Sequence, residues 1–304
     1  ARPRPTAPLG ISVIGGARAP LVTVGIAFFD EERYLASAIR SVLAQTMRDF
    51  ELLLVDDGST DGSLSIARSF DDSRITVLSD GRRRHLPARL NEIVGRARAP
   101  LVARMDGDDL MHPARLERQL DVMRADPSYD IVSTWAALAD GDGPFATIET
   151  ARVPPTPASA LTAPLVAHAT VLGRRAWFLE NAYDERLTRC EDRDLWCRTS
   201  ATIRVSTIPE CLYVVRISAD DREFLRGYLD GQRQLRRVYA RYGPRAIGVP
   251  RTARLVGATY AKNIAIRVLA AVGLEGRLIR RRGRSMTDAE RSCALEAYAA
   301  VQRP

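Results

Sequence analysis

The run Asp106-Gly107-Asp108-Asp109 places three carboxylates within four residues, directly after an apolar segment. Clustered anions repel one another unless a cation lies among them, and hard oxygen ligands suit Mg²⁺ or Mn²⁺. An ion held by Asp106 and Asp108 can bridge two phosphates and neutralise charge that develops on a diphosphate leaving group. The alternative is a solvated acidic turn in which Asp109 caps the helix that follows.

A second acidic turn, Asp56-Asp57-Gly58-Ser59-Thr60-Asp61-Gly62, follows the apolar segment 52–55. One interpretation is a turn that caps a helix, with Gly58 and Gly62 relaxing the backbone. The other gives Asp57 or Asp56 a hydrogen bond to a nucleobase or ribose, and leaves the following Ser and Thr to begin the helix.

A third acidic pair, Glu191-Asp192, precedes a helix that carries Leu195 and Trp196. A capping acid explains it without chemistry. The functional hypothesis makes Asp192 a general base, since a single carboxylate within reach of a hydroxyl can deprotonate it. Of the histidines His85, His112 and His168, the first two are expected to be structural, and His168 is a candidate for an acceptor site.

Strands and helices alternate along the first half of the chain, as the periodicity of apolar residues indicates. Such alternation predicts a parallel sheet with helices on both faces, whose sites lie beyond the carboxyl ends of the strands. Both acidic turns follow strands, so we expect them at the same edge of the sheet. The expected strands are 21–29, 51–55, 75–78, 101–105 and 131–138, with one helix over 35–43, another that carries Leu90 to Ala97, and others after Asp61 and His112.

The second half is expected to be less regular. Ala139 to Pro164 contains five prolines and is interpreted as a loop region near the acceptor. From Asp220 the chain is rich in arginine and is expected to be wholly helical. The predicted organisation is a loosely ordered tail over 1–19, a catalytic domain over 20–218 and a helical region over 219–304.

Composition favours a globular protein of 304 residues. The net charge of +8 carries little weight, because Lys262 is the sole lysine and arginine dominance indicates a compositional habit. Four cysteines without metal-binding spacing predict free thiols in a reducing compartment. No apolar stretch suits a signal peptide or a membrane span, so we expect a cytoplasmic protein, soluble or peripheral on the inner face of the membrane.

Taken in order, these segments resemble the large glycosyltransferase family 2, from Val22 to about Arg216. The joint order and spacing of the segments are more specific than any one of them. The segments that carry the resemblance are Phe28 to Leu35, Ser41 to Thr46, Phe50 to Gly62, Leu90-Asn91, Ala103 to Asp109 with Pro113 and Gln119, His168 to Thr170, Tyr183 to Glu185, and Glu191 to Arg198.

The resemblance implies a fold class of α/β, the GT-A (nucleotide-diphospho-sugar transferase) fold, with a mostly parallel central sheet flanked by helices and a C-terminal helical region. It implies an inverting transfer from a nucleotide-sugar donor, with UDP as the commonest carrier, to a saccharide, lipid-linked glycan or natural-product hydroxyl. Mg²⁺ or Mn²⁺ is the implied cofactor. The implied residues are Asp192 as the base; Phe28, Asp30, Glu32, Asp56, Asp57, Asn91, Asp106 and Gly107 for the nucleotide; Asp106 and Asp108 for the metal; and Glu191, His168, Asp109 and Trp196 for acceptor or donor sugar.

The sequence also departs from the family pattern. Asp30 and Phe29 stand where Asn and Tyr are common, so the nucleobase pocket is expected to differ. After Arg216, where many relatives carry a His, the chain continues with Ile217. One candidate contact to phosphate or metal is therefore missing, and diphosphate oxygens and water are left to complete the metal shell.

Other functions remain open at this stage. A sugar nucleotidyltransferase needs a Gly-rich, basic loop after the first strand, where this chain has the acidic 28–32. A binding protein with a degenerate domain could use the arginine-rich C-terminal region on an anionic membrane surface, although a helical cap with solvated arginines explains it as well. Aromatic residues for base stacking are sparse there, which argues against nucleic acid. No GxGxxG follows the first strand, which excludes a dinucleotide dehydrogenase.

Overall fold

The computed structural model describes residues 13–14, 17–141, 143–150, 156–163, 165–217, 221–271 and 283–302. Most of the predicted N-terminal tail, and the segment 272–282 with Arg277 and Arg280 to Arg282, lie outside the described residues. The described strands are Val13–Ile14 (β1), Ala17–Arg18 (β2), Val22–Phe28 (β3), Phe50–Asp56 (β4), Ile75–Ser79 (β5), Leu101–Asp106 (β6), Leu110–Met111 (β7), Ile131–Asp140 (β8), Gly143–Ile148 (β9), Leu172–Arg174 (β10), Val205–Arg216 (β11) and Arg284–Ser285 (β12).

The described helices supply the layers that cover the sheet. Several are amphipathic, and their apolar residues face the core. They are Leu35–Leu43 (α1), Ser63–Arg68 (α2), His85–Arg96 (α3), Arg115–Ala125 (α4), Pro157–Thr162 (α5), Arg175–Glu180 (α6), Glu191–Thr199 (α7), Asp221–Ile247 (α8), Val249–Ala271 (α9) and Asp288–Gln302 (α10), with a short 3-10 helix at His168–Thr170.

The described strands form a ten-stranded sheet in the order β12-β9-β8-β10-β6-β3-β4-β5, with β11 beside β8 and β7 beside β11. The first half, β6-β3-β4-β5, is parallel as expected; β6, β3 and β4 are buried on both faces, whereas β5 at the edge is partly exposed. Gly25 permits the close packing of α3 on this half, because a Cβ there would lie 2.3 Å from Ile93 Cγ2.

The second half of the sheet departs from the expected parallel pattern. β10 runs antiparallel to both β6 and β8, and β9 and β12 continue the sheet in antiparallel pairs, whereas β11 is parallel to β8. The molecule is therefore a mixed α/β fold with parallel pairing concentrated in the half that carries the acidic turns. β10, which has three residues, separates the two halves.

The expectation of an irregular Ala139 to Pro164 region was wrong for much of that range. β8 extends to Asp140, β9 returns beside it, and Pro157 begins α5, where a missing N–H is tolerated. Thr156 caps α5 by accepting a hydrogen bond from Ser159 N. Pro157 thus marks the beginning of a helix.

The C-terminal region packs on the rest of the chain in two places. α8 lies against α5 and α7, while α10 lies against β11, β9 and α1. The two-residue strand β12 interrupts the helices, so the expectation of a wholly helical end was wrong at that point. Among the described residues, no helix has the length and apolar character needed to cross a membrane.

Candidate active site

The carboxyl ends of the parallel strands bring the acidic turns together. In the register of the sheet, Phe28 of β3 lies opposite Asp56 of β4, and Ala27 lies opposite Asp106 of β6. This edge opens into a cleft of about 610 Å³. Adjacent strand ends in a parallel sheet therefore deliver side chains from distant segments to one site.

The loop after β3 is joined to the loop after β4 by direct hydrogen bonds. Asp30, at φ 53°, accepts from Thr60 N at 2.7 Å and donates its own N–H to Ser59 Oγ at 3.2 Å. Glu32 Oε2 accepts from Gly62 N at 2.9 Å. The implied nucleotide contacts Asp30 and Glu32 thus hold one loop against the other, and neither lines the cleft.

Asp56 and Asp57 differ in their partners although both are buried. Asp56 accepts hydrogen bonds from Ser59 N at 2.9 Å and from Ser79 Oγ at 2.7 Å, which fixes its own turn. Asp57 lines the cleft and holds the segment before α3. Its Oδ1 accepts from Arg84 N at 2.7 Å and Arg89 Nε at 2.9 Å, and its Oδ2 accepts from His85 N at 3.0 Å.

The segment held by Asp57 brings a cation over an aromatic ring at this end of the cleft. The Arg83 guanidinium lies 3.5 Å from the centre of the Phe29 ring. Both residues line the cleft with Phe28 and His85. A guanidinium stacked on an aromatic ring forms a flat surface, and such a surface suits contact with a flat, polar heterocycle. His85, expected to be structural, has φ 67° and belongs to this wall.

At the centre of the cleft the acidic run following β6 exposes two carboxylates and one glycine: Asp106, Gly107 and Asp108. Arg104 Nη2 donates to Asp106 Oδ1 at 2.6 Å. Burial and the nearby charge of Asp106 raise the pKa of Asp108 to about 6. A carboxylate held near a like charge away from water favours a cation as its partner.

Asp109 lies away from the cleft, with 2 % of its surface exposed. Its Oδ1 accepts from Arg216 N at 2.9 Å, and the Arg216 side chain donates Nε–H to the Asp108 carbonyl and Nη1–H to Ser37 Oγ, the latter at 2.9 Å. Burial and both neighbouring carboxylates raise the pKa of Asp109 well above its ordinary value. This geometry gives Asp109 a supporting place under the turn and brings it no contact with the cleft.

Glu191 enters the cleft from the side opposite the nucleotide turn. Burial first, and then the adjacent Asp192 charge, raise the pKa of Glu191 to about 7. Asp192 follows it in the first turn of α7, is partly exposed, and accepts from Arg193 N at 2.7 Å. The cleft wall therefore begins with Glu191, and Asp192 lies at its margin.

His168 supports Glu191 from beneath. Its Nε2 lies 2.9 Å from Tyr183 Oη and its Nδ1 lies 3.7 Å from Glu191 Oε1. Burial lowers the pKa of His168 well below its ordinary value, which favours the neutral ring. Trp196, 1 % exposed, packs edge-on to His168 and stacks on Trp177, so it forms the core beneath the site.

Asn91 lies outside the cleft and ties α3 to the loop before α7. Its Nδ2 donates to the Tyr183 carbonyl at 3.0 Å and to Glu185 Oε1 at 3.0 Å, while its Oδ1 accepts from Tyr183 N at 2.9 Å. This amide holds the Tyr183 that contacts His168. No contact between Asn91 and the nucleotide end of the cleft is present among the described residues.

The last wall comes from the C-terminal region. Arg189 and Thr188 of the loop before α7 line the cleft with Gly227 and Asp230 of α8. Thr188 Oγ1 donates to Asp230 Oδ2 at 3.5 Å, and a Cβ at Gly227 would lie 2.8 Å from Arg189 Nη2. The absence of a side chain at Gly227 thus makes room for the Arg189 guanidinium.

The carboxylates of Asp106 and Asp108 are the candidate ligands for a divalent cation. Asp106 and Asp108 supply two hard carboxylates to one cavity, which fits Mg²⁺ or Mn²⁺ with oxygen ligands from a bound diphosphate and water. In the described part of the chain no group of three His, Cys, Asp or Glu side chains converges on one point. The protein alone therefore provides an incomplete shell.

Residues 23–180 match the family described as Glycosyl transferase family 2. The chain belongs to this family. It is 34% identical over 211 residues to the protein named putative glycosyltransferase EpsE of Bacillus subtilis, a match that covers 66% of this chain and 74% of EpsE. The family 2 assignment makes the chain a glycosyltransferase.

Two solved structures align with most of this chain. TarS of S. aureus in complex with UDP-GlcNAc aligns with a TM-score of 0.57 at 16% identity, covering 79% of this chain and 71% of that one. The mannosyltransferase PcManGT of Pyrobaculum calidifontis, in complex with GDP-Man and Mn²⁺, aligns with a TM-score of 0.57 at 17% identity, covering 93% and 85%. These likenesses confirm the GT-A fold.

Sequence reasoning missed the arginines of this family 2 cleft. Arg104 was part of the matched segment, yet its pairing with Asp106 depends on β6 side chains two residues apart sharing one face. Arg83 and Arg189 belong to no recognisable motif, and the chain contains so many arginines that their sequence positions did not distinguish them. For Arg104 and Arg189, the available signal was a position two residues before an acidic motif.

Proposed function

We propose that the chain is an inverting, metal-dependent glycosyltransferase that moves a sugar from a nucleotide-diphosphate donor, UDP-sugar in the first instance, to an acceptor hydroxyl. The observation that carries the proposal is a single cleft lined by Asp57, Asp106, Asp108 and Glu191, from three separate segments. Glycosyl transfer needs acids at three places, and this cleft supplies them. Asp57 lies where the nucleobase is recognised, Asp106 and Asp108 lie where the diphosphate charge is neutralised, and Glu191 lies on the acceptor side.

The nucleotide binds at the end of the cleft formed by Asp57, Phe29 and Arg83. The Asp57 carboxylate already accepts three N–H hydrogen bonds. Its main role is therefore to hold the 84–89 segment in place at the wall of the cleft, and it offers little free acceptor capacity to a ligand. The heterocycle then stacks at this end of the cleft, beside the contact between Arg83 and the Phe29 ring.

Asp106 and Asp108 hold Mg²⁺ or Mn²⁺ in this proposal. When bound, the ion neutralises charge on the departing diphosphate. Arg104 orients Asp106 through the 2.6 Å hydrogen bond. Arg216 fixes the backbone of the same turn from below, and a rigid turn keeps both carboxylates directed into the cleft.

Asp192 is the proposed general base. As the acceptor oxygen forms its bond to the anomeric carbon, the bond from that carbon to the diphosphate oxygen breaks, and the acceptor proton passes to the Asp192 carboxylate. Attack opposite the leaving group inverts the anomeric configuration. Glu191, beside it and facing the cleft, orients donor-sugar or acceptor hydroxyls, and the neutral His168 ring, hydrogen-bonded to Tyr183, packs next to it with Nδ1 3.7 Å from Glu191 Oε1.

The acceptor enters beside Arg189, Thr188 and Asp230. These side chains offer both donors and acceptors for a saccharide, and Arg189 adds a positive charge for an acceptor that carries phosphate, such as a lipid-linked glycan. The proposed catalytic domain over 20–218 is thus completed by the helical region over 219–304, since α8 supplies part of the wall.

The test is a thermal-shift panel of UDP, GDP, CDP and dTDP with and without Mn²⁺, followed by donor turnover with the matching nucleotide sugars. We expect one nucleoside diphosphate to raise the melting temperature only with the cation, and the matching donor to be consumed. Proton NMR of the product then gives the anomeric configuration. Retention of configuration, or pyrophosphate release from a nucleoside triphosphate and a sugar phosphate, would overturn the proposal.

A further inference from the structure

The solvent face of α9 is apolar. Tyr260, Ile264 and Val268 follow one another at intervals of four residues and are 55 %, 66 % and 58 % exposed. Gly257 and Ala261, both exposed, continue the same stripe. Residues four apart lie on one side of a helix, so these side chains form one continuous surface along the helix axis.

The opposite face of α9 already has its partner. Thr252, Thr259 and Ile266 are buried at intervals of seven residues, and α9 packs along α8 through this side. The apolar stripe is therefore a second hydrophobic face, exposed at Ile264 and Val268, while the Tyr260 ring also contacts α8, with the Arg236 guanidinium 4.4 Å from its centre. Isolated exposed apolar residues are ordinary on protein surfaces, whereas a stripe of this kind marks a contact surface.

The charges around the stripe have one sign. Residues 249–271 contain Arg251, Arg254, Lys262 and Arg267 and no Asp or Glu. All four basic residues are exposed. An α-helix turns by about 100° per residue. Measured around the helix axis from Ile264, Arg254 and Arg267 therefore lie on opposite sides of the stripe, at about 80° and 60°.

From this geometry we propose that α9 is a membrane-docking helix, which lies in the plane of an anionic lipid bilayer with Ile264 and Val268 inserted among the lipids, Tyr260 beside them, and Arg254 and Arg267 at the headgroups. An apolar face bordered by cations is the arrangement that binds such an interface. A second copy of the chain is a poorer partner, because α9 against α9 would bring like charges together. None of the described helices is suited to span the bilayer, which agrees with a surface location for α9.

Docking through α9 also bears on the active site. α9 packs on α8, and α8 lines the cleft at Gly227 and Asp230. The acceptor side of the cleft therefore belongs to the same helical pair as the docking face. This second step rests on the proposed function: a membrane-borne acceptor would reach the cleft along α8.

The experiment measures binding of the full chain to vesicles. The protein is sedimented with vesicles of phosphatidylcholine alone and with vesicles that contain about 30 % phosphatidylglycerol. We expect binding to the anionic vesicles, weakening at high salt, and a loss of about tenfold or more in Ile264→Glu and in Val268→Glu. Leu179→Glu is the matched control, because Leu179 is 50 % exposed on α6, away from α9, and should bind as the unaltered chain does.

Each result supports or overturns the proposal. Absence of binding to anionic vesicles, or equal binding by Ile264→Glu and the unaltered chain, overturns it. A concentration-dependent dimer that Ile264→Glu dissociates, without vesicle binding, assigns the stripe to self-association instead. Circular dichroism verifies that the variants fold, and nucleotide-sugar turnover in vesicle-free solution stays unchanged in Ile264→Glu, so a failure of docking is distinguishable from a failure of the transferase proposal.

Discussion

Arg104 Nη2 lies 2.6 Å from Asp106 Oδ1 at the base of the cleft. Arg104 is buried, and its charge also acts on Glu191 across the cleft. One guanidinium thus interacts with the proposed metal ligand on one side and with the acid on the acceptor side on the other. Removing it should affect both.

Arg104→Gln removes the positive charge and leaves Asp106 without its partner. We expect a loss of about 3 kcal/mol in the free energy of unfolding, because breaking a buried ion pair strands the remaining charge. Urea denaturation measures it. Arg118→Gln, which breaks the exposed pair with Glu210, should lose under ~1 kcal/mol. Equal losses in the two variants would contradict a special role for the buried pair.

Asp108 predicts a pH-dependent response to metal. Burial and Asp106 raise the pKa of Asp108 from 3.8 to about 6, so between these values the native chain retains a proton that the unfolded chain has lost. This contribution to stability is complete below pH 3.8 and is lost as the pH rises through about 6. Since a cation binds the ionised carboxylate, Mn²⁺ should raise the melting temperature more at pH 7.5 than at pH 5.

Asp108→Asn is the matched variant for this response. Without metal at pH 7.5 it should melt at a higher temperature than the unaltered chain, because one of two crowded charges is gone, and Mn²⁺ should no longer raise that temperature. A variant that melts lower than the unaltered chain and still responds to Mn²⁺ would show that Asp108 is not a ligand.

Asp192 and Glu191 are separated by kinetics. Asp192→Asn should lower kcat by about 10² to 10⁴ while donor affinity is kept, as expected for loss of a general base. Glu191→Gln should mainly raise the acceptor KM, since it orients hydroxyls. The opposite result, with kcat lost in Glu191→Gln alone, would transfer the base role to the residue that the structure places in the cleft.

Gly58 is required where the nucleotide turn approaches the 82–83 backbone. Both Gly58 and Gly81 have positive φ, at 77° and 66°, but a Cβ at Gly58 would lie 2.9 Å from the Arg82 carbonyl carbon, whereas one at Gly81 meets nothing within 4 Å. Gly81→Ala should cost about 1 kcal/mol in unfolding free energy from the backbone alone. Gly58→Ala should cost more and should also raise the donor KM, whereas equal effects would argue against a close-approach requirement.

Gly227 and Gly231 form a matched pair on α8. A Cβ at Gly227 would displace the Arg189 guanidinium, whereas one at Gly231 stays 3.9 Å from Arg189 Cδ. Both substitutions improve helix propensity by up to about 1 kcal/mol. We expect Gly227→Ala to raise the acceptor KM without loss of thermal stability, and Gly231→Ala to leave KM unchanged. An unchanged KM in Gly227→Ala would remove Arg189 from the acceptor site.

The parallel half of the sheet was predictable because its central strands are mostly apolar segments followed by acidic turns. Phe50 to Asp56 and Leu101 to Asp106 both have this form, and the edge that they share follows from it. β10 and β12 escaped prediction, since two or three residues carry no period and depend on their neighbours in the sheet.

Side-chain partners were less predictable than positions. Asp57 and Asn91 were chosen as nucleotide contacts from the motif, yet the structure surrounds Asp57 with three N–H donors and ties Asn91 to Tyr183. Their roles as ligand contacts remain predictions. A sequence motif identifies where a carboxylate lies along the chain, whereas the tertiary fold determines which donors form hydrogen bonds with it.

The hydrogen bonds that Asp30 and Glu32 make with the turn after β4 have a thermodynamic consequence. A nucleotide that arrives at this end of the cleft meets walls that already hold their shape, so little conformational entropy is lost on its arrival. Its association should then proceed at an encounter-limited rate, with a heat-capacity change that reflects the contacted surface and no folding of loops.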